Sequence, residues 1–496
     1  MAEKDVIVVV QRDALPKEKE NLDILLVSTT GAQPVQVYRD IEVVKSVFGP
    51  NGPSPNAKIV RKATTLLNQG KTTLATTLVS KFKIVGFEPP TASPATSATF
   101  VINFDNDVFA FDAPAVNQKL YVRIGGDDNA VFELTAKVEI ENGKKLAAQF
   151  KGATFSKGGK TYTAAVTDTV VTFTAAEDGE ADSIPERVEI FLDENLSQEF
   201  IVTGKKTFTN GRDRMSAGDN LVEAIKAFQA DVDNDWYYLM TDKDEDEYVK
   251  ALAKFAEASE PSEAELGVGT EDHRKFYMGQ TTNKKFACNT ARAAVIYTDP
   301  DFISEEPDAS YTGNVAPFYP NSVTWKFKRP QDGNAAASEG IKLISLPVLT
   351  EGERSELVEN HVNFLTQEYK REYVKNGTCL NGEFIDTVLG ADWVAKRMRN
   401  LLYDILLTNA TIQYSDAGFG LVATAVLQAL AEATDLGIIA RDPESKNGIF
   451  TVVIPKYSES TEEQRRNRRM PDITWEALLA GAIHQVKSKG ALRASL

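Results

Sequence analysis

The chain has almost none of the residues from which catalytic sites are most often built. Of 496 residues, two are cysteine and three are histidine. Cys288 and Cys379 stand far apart and neither belongs to a CxxC pair, so no thiolate metal site or redox motif forms; two buried free thiols in a reducing compartment are expected. His273, His361 and His484 share no short motif, and no G-x-S-x-G or H-E-x-x-H pattern occurs. Positive charge is also scarce. Against 71 Asp/Glu there are 55 Lys/Arg, a formal net charge of −16, which argues against direct nucleic-acid binding, because that role needs a basic face. No apolar run of about 18 residues is apparent. The opening MAEKDVIVVVQRD has an apolar stretch too short for a signal peptide. A soluble chain that is assembled in the cytosol and does not insert in a membrane is expected.

Ligand loops are missing in the same way. Gly70-Lys71-Thr72 matches the end of a phosphate loop, but the first glycine position holds Thr65 and a helix, not a strand, precedes it. Asp242–Glu247 imitates a calcium loop for three positions; position 6 is then Glu247 where glycine is needed, and position 12 is Ala253 where glutamate is needed. Acidic residues at a helix N-terminus explain it better. No glycine-rich turn follows a strand in the way a dinucleotide site requires. No cofactor and no metal are expected.

What remains is material for several cores. Apolar residues make up 42% and charged residues 25% of the chain, and the length suits about three domains. Asp5–Gln11 (DVIVVVQ) is a strand without an adjacent hairpin partner, so it pairs with an edge elsewhere. Asp23–Thr29 and Ser80–Phe87 read as strands, Asp40–Phe48 and Ser54–Asn68 as helices, with Ile59, Val60, Ala63, Leu66 and Leu67 facing inward. Composition shifts at Glu88-Pro89-Pro90 to a Pro/Ser/Thr linker. Residues 91–212 are rich in short alternating strands and almost helix-free, with Asn142-Gly143 as one of the turns, which predicts an inserted sandwich- or barrel-like all-β domain. The acidic loops there lack the ligand spacing of a calcium site. From Ser216 the helix–strand rhythm returns: Leu221–Phe228 helical, Trp236–Thr241 a strand, Glu245–Ser259 a helix, Lys275–Gln280 and Ala293–Thr298 strands. This favours a largely parallel sheet with crossover helices. Glu353–Lys375 reads as one long helix.

The segment Glu383–Gly437 is the most informative. Phe384–Leu389 is β-capable and Gly390-Ala391-Asp392 turn-like. A helix then carries Trp393, Val394, Met398, Leu401, Leu402, Ile405 and Leu406 on one stripe, with Lys396, Arg397 and Arg399 on the other side. Tyr414-Ser415-Asp416-Ala417-Gly418 is a capping break, and a second helix ends near Gly437. From Ala391 onward 13 Lys/Arg face 12 Asp/Glu, a net +1 that leaves −17 for the rest. The densest basic run is Gln464-Arg465-Arg466-Asn467-Arg468-Arg469.

This order, with Ile438-Ile439, Phe450–Pro455, Arg468-Arg469-Met470-Pro471 and Ile473-Thr474-Trp475-Glu476-Ala477, resembles the C-terminal core of contractile tail sheath proteins of bacteriophages and related injection particles. The resemblance covers about the last quarter of the chain, the N-terminal segment more loosely, and residues 91–212 not at all. It implies an α/β (α+β) multidomain subunit: an N-terminal arm at 1–22, an outer α/β domain at 23–90 and 213–350, the β-rich insert at 91–212, and a core at 351–496 that faces the inner tube, with a C-terminal arm after about 481. Strands donated to neighbours would use Val6, Ile7, Val8, Val9, Val10 and Val486. Arg465, Arg466, Arg468, Arg469, Lys396, Arg397 and Arg399 are candidate contacts to the tube or another subunit. The implied partners are other copies of the chain in a helical homopolymer of stacked rings, the inner tail tube protein, and baseplate and tail terminator proteins. The implied location is the virion, after assembly in the host cytoplasm. Asp386 and Asp392, the best carboxylate pair for a glycosidase, then belong to a structural turn, and no enzymatic activity is expected. The alternatives are another virion component (baseplate, tube or capsid) or a glycan-binding or glycan-hydrolysing protein.

Overall fold

The computed structural model describes residues 24–69, 79–93, 97–103, 117, 119–124, 131–135, 143–157, 160–178, 188–191, 215–259, 274–318, 320, 323–335, 342–482 and 484. The chain forms two compact units, Met1–Pro90 with Leu221–Leu496, and Thr91–Asn220. Val6–Val10, Val486 and His273 lie outside the described residues.

The first unit begins with β1 (Ile24–Ser28), β2 (Gln33–Tyr38), α1 (Ile41–Phe48), α2 (Ala57–Asn68) and β3 (Phe82–Gly86). Both helices start where sequence chemistry dictates. The Asp40 carboxylate accepts from Glu42 N–H at the head of α1, and the Asn56 side chain accepts from Ile59 N–H at the head of α2, each satisfying an otherwise orphaned amide.

The second unit holds β4 (Ser97–Asn103), β5 (Lys119–Ile124), β6 (Val131–Thr135), α3 (Gly143–Gln149), β7 (Thr154–Lys157), β8 (Lys160–Thr167), β9 (Val170–Asp178) and β10 (Val188–Phe191). Its strands form two antiparallel sheets, β4-β9-β8-β7 and β10-β5-β6. Asn142-Gly143, expected as a turn, instead leads into α3. That helix buries Leu146 and Ala147, and Phe150 just beyond it meets Phe173 of β9 edge-on at 6.1 Å; a helix of seven residues with two of them buried leaves too little periodicity to show in sequence.

The chain continues through α4 (Ala217–Asp231), β11 (Tyr238–Thr241), α5 (Asp246–Glu257), β12 (Phe276–Thr281), β13 (Ala293–Tyr297), α6 (Pro307–Val315), α7 (Glu351–Glu359), β14 (Asn363–Glu368) and β15 (Arg371–Val374). One eight-stranded sheet results, in the order β15-β14-β13-β12-β11-β1-β3-β2. Its six inner strands run parallel, with β2 and β15 antiparallel at the edges. The inner strands β1, β11, β12 and β13 are buried along their whole length, as expected when helices cover both faces.

The single helix expected over Glu353–Lys375 is a helix followed by a hairpin. Asn360 ends α7 and His361 turns left-handed at φ 57. Val362, Asn363, Phe364 and Leu365 are then buried, with Asn363 and Phe364 in parallel register beside Ile296 and Tyr297 of β13. Tyr369 and Lys370 both take positive φ, 49 and 63, the conformation of a two-residue hairpin corner. Without glycine or asparagine there, the corner carries no sequence signal, and sheet pairing overrides an ambiguous apolar spacing.

The last elements are α8 (Ile385–Thr408), α9 (Asp416–Asp435), β16 (Phe450–Val453), α10 (Glu462–Arg466) and β17 (Thr474–Ala477). The strand and turn expected at 384–392 are the first two turns of α8. Ile385, Val388 and Leu389, at helical spacing, are buried in the core under the large sheet, and that burial decides between strand and helix. By length and composition α9 would reach across a membrane, which corrects the expectation that no such stretch exists; half of its apolar window is buried inside the protein, as in the core helix of a folded domain.

Candidate assembly interface

The C-terminal segment is built on the α8–α9 pair. Ser415 caps α9 by accepting from Gly418 N–H at 3.3 Å, and Gly437, just past its end, has φ 76, the left-handed exit glycine favours. Val394 of α8 packs with Val426, Leu430 and Ala433 of α9 and with Ile438 and Ile439. Phe450, Val452, Ile473 and Ala477 close this core from the side of β16 and β17.

These two strands form an antiparallel pair from Phe450↔Ala477 to Val453↔Thr474. Among the described residues no strand pairs with the outer edge of either one. Two-stranded ribbons are marginal alone, and open edges are templates for another strand. Exposed apolar side chains mark this segment, on the ribbon and its flanks and on α8 and α9. Leu407 is 79% exposed, Val453 63% and Leu478 55%, and Leu406, Leu421, Leu427, Ile454, Trp475 and Leu479 are also exposed. The expected single buried stripe on α8 therefore holds only in part, since Leu406 lies outside the core.

The candidate cations form two groups. Arg397 holds Glu432 of α9 with two hydrogen bonds, 2.5 and 2.9 Å, which keeps the Glu432 carboxyl below its usual range. Lys396 is exposed and Arg399 half-buried on the same helix. The run Gln464–Arg469 is not a plain loop. Thr461 and Gln464 form a capping box for α10. Arg465 donates to Ser460 O at 2.6 Å and lies over the Tyr457 ring. Tyr414 Oη donates to Arg469 O at 2.9 Å, and Tyr457 N–H donates to Asp416. Arg465, Arg466, Arg468 and Arg469 are exposed. The arginine run thus sits at the N-terminal end of α9, whereas Arg397 meets its last turn, roughly 24 Å away along the helix.

Asp386 and Asp392 serve packing. Asp392 Oδ2 accepts from Tyr237 Oη at 2.5 Å, Oδ1 accepts from Arg292 at 3.2 Å, and Arg274 lies 3.6 Å away. Burial raises the Asp392 carboxyl against the pull of Arg292. This network fastens α8 to the amino ends of β11, β12 and β13. Asp386 is also raised by burial, opposed by His484; that ring packs on Phe384 at 4.6 Å and shares a hydrogen bond with Thr324.

Doubly wound sheets bind ligands beyond the carboxyl ends of their strands, where strand order reverses. Here that place, between β1 and β11, is filled. Asp242 accepts from Thr29 N–H and Oγ1 and from Asn56 Nδ2. Beside it Lys62, fully buried, donates to both Asp308 oxygens at 2.5 Å and lies 3.2 Å from Glu306. Arg61 holds the other Glu306 oxygen at 2.9 Å, and Lys58 pairs with Asp244. Three cations meet three carboxylates. Sequence reasoning missed this cluster, although Lys62 stands in the apolar stripe of α2 between Ile59 and Leu66. Cys379 is buried and Cys288 half-buried, both as free thiols.

Residues 385–491 match a family described as E217 tail sheath protein gp31-like, C-terminal domain. The match begins with α8 and covers less than half of the chain. Among solved structures, a cryo-EM structure of the anti-feeding prophage baseplate, 6-fold symmetrised, is similar at 14% identity, over 56% of this chain and 73% of that one, with a TM-score of 0.38. No curated protein matches. The resemblance to contractile tail sheath proteins is therefore carried by the α8–β17 segment, and the match supports a structural component of a tail.

Proposed function

We propose that the chain is the subunit of a contractile tail sheath, polymerising helically around an inner tail tube and contracting to drive that tube through a host envelope. The observation that carries this reading is the β16–β17 ribbon, whose outer edges pair with no strand among the described residues and which exposes Val453 and Trp475, with Ile454, Leu478 and Leu479 beside it, inside the segment that matches the tail sheath family. Strands added by neighbouring copies, from the arm around Val6–Val10 and from the arm around Val486, would complete it. The segment 351–496 would face the tube, with Arg465, Arg466, Arg468 and Arg469 as the contact charges best exposed for that role. Residues 23–90 and 213–350 would form the outer domain and 91–212 an insert. Exposed ion pairs are worth only about 0–1 kcal/mol each, so contacts of this kind hold by repetition and rearrange together. A head-to-tail contact that does not close generates the required filament. The role is mechanical and needs no substrate turnover.

Electron microscopy of the purified full chain at rising concentration tests this. Hollow tubular polymers, or sheathing of added tube protein, are expected. A chain that stays monomeric under both conditions would overturn it.

A further inference from the structure

The large sheet presents a cluster of cations at one end and, at the other, beyond the neutralised cluster of Lys58, Arg61 and Lys62, the outward carboxylates of one turn. At the amino end of β3, a groove of about 550 Å³ lies between the sheet and α8. Lys81 and Lys83 enter it from the start of β3, Arg39 from just past β2, and Lys396 from α8. Two carboxylates, Asp40 and Asp235, accompany these four cations. Asp233 and Asp235 both face Lys83. Arg39 is exposed and forms no hydrogen bond or ion pair among the described residues. Val37 and Val43, 55% and 50% exposed, give the groove apolar walls. In a chain of net charge −16 this is a basic, partly apolar recess.

At the other end, the turn from β11 into α5 reads Asp242-Lys243-Asp244-Glu245-Asp246-Glu247, five carboxylates and one lysine. Asn56, Gln280 and Asn283 hold Asp242, Asp244 and Asp246 from inside. Glu245 and Glu247 point outward and are exposed. Asp235 precedes β11 and this turn follows it, so the depth of the sheet, roughly 13 Å over four residues, separates the two patches. They cannot meet within one molecule.

We infer that the groove lined by Arg39, Lys81 and Lys396 receives the Asp242–Glu247 turn of a second copy. Because donor and acceptor are different surfaces at opposite ends of one sheet, the contact is head-to-tail and leaves a free donor and a free acceptor on every pair. Apart from Lys396, its residues lie outside the family-matched segment, and it uses no terminal arm. It deepens the sheath reading, resting on it only for the presence of neighbouring copies.

Two charge reversals test it in the full chain, Arg39→Glu with Lys81→Glu in the groove, and Glu245→Lys with Glu247→Lys in the turn. Self-association is read by sedimentation velocity at low and high salt, with unfolding midpoints as the check on folding. Each variant alone should associate about tenfold more weakly at low salt, the deficit should shrink as salt screens the charges, and an equimolar mixture should recover the lost affinity. Association of either variant at the wild-type level, or a mixture no better than its parts, overturns the inference and leaves the sheath proposal standing. A wild-type chain that does not associate at all overturns both.

Discussion

Lys62 bears more of the fold than its place in the sequence suggests. It is a cation with no exposed surface, set among Asp308, Glu306 and, through its field, Asp244. Burial alone would drive its proton off; the carboxylates outweigh that and hold the ammonium above its usual range. Asp308 shows the converse: burial lifts its carboxyl to about 6, against the pull of Lys62. Breaking one side of such a pair strands the other charge, at about 3–5 kcal/mol. Lys62→Met is therefore expected to lower stability by about that much in denaturant unfolding at pH 7.5. The sign of the pH dependence follows from the raised carboxyl. Between the ordinary aspartate range and about 6 the native state binds the extra proton, so the contribution of Asp308 falls as pH rises through that window. Without Lys62 the carboxyl rises further, so the deficit of Lys62→Met should be smaller at pH 5 than at pH 7.5. An equal deficit at both pH values would show that the lost cation, not the stranded carboxylate, sets the cost.

Among the elements, those that were legible in sequence carry their own start and stop chemistry. Asp40 and Ser415 announce α1 and α9, and Gly437 announces an end, whereas the helix expected from Ser54 begins at Ala57 behind the Asn56 cap. Those that were misread are decided by what they pack against. The β14–β15 corner turns on Tyr369 and Lys370, and Tyr369 is 97% exposed. Two non-glycine residues in left-handed backbone cost about 1–2 kcal/mol each. Replacing the pair by Asn-Gly should therefore raise stability by roughly 1 kcal/mol, read as a higher urea midpoint. A lower midpoint would mean that contacts of Tyr369 or Lys370 hold the corner in place. The first two turns of α8 were misread for a related reason: an apolar triplet fits strand and helix alike until the sheet buries it. The partners of Asp392, namely Tyr237, Arg274 and Arg292, lie more than a hundred residues upstream or close to it, a distance no spacing rule covers.

For the whole molecule, composition excluded more than it identified. Few histidines and cysteines and an acidic balance narrowed the field, and the order of residues from α8 to β17 pointed to tails. The candidate interface was half legible: the basic run was visible, but its separation from Arg397 by the length of α9 was not, because only folding assigns charges to the ends of a helix. Assembly is where the decisive prediction lies. Deleting Met1–Asp13 should leave unfolding of the subunit unchanged within about 1 kcal/mol and abolish polymers seen by electron microscopy, because the β16–β17 edges, unpaired among the described residues, would lose the strand proposed to come from a neighbour. Ordinary polymers from the shortened chain would remove the donated-strand proposal.

The helix α8 is a single rod of 24 residues, roughly 36 Å long. One end is set in the core beneath the large sheet, through Ile385, Val388 and Leu389, and the stretch from Val394 onward in the core it shares with α9. A shaft seated in two bearings cannot twist at one without turning at the other. A rotation of the α9 core is therefore expected to turn Ile385, Val388 and Leu389 in the sheet core with it, and a glycine pair placed between the two seats should uncouple them.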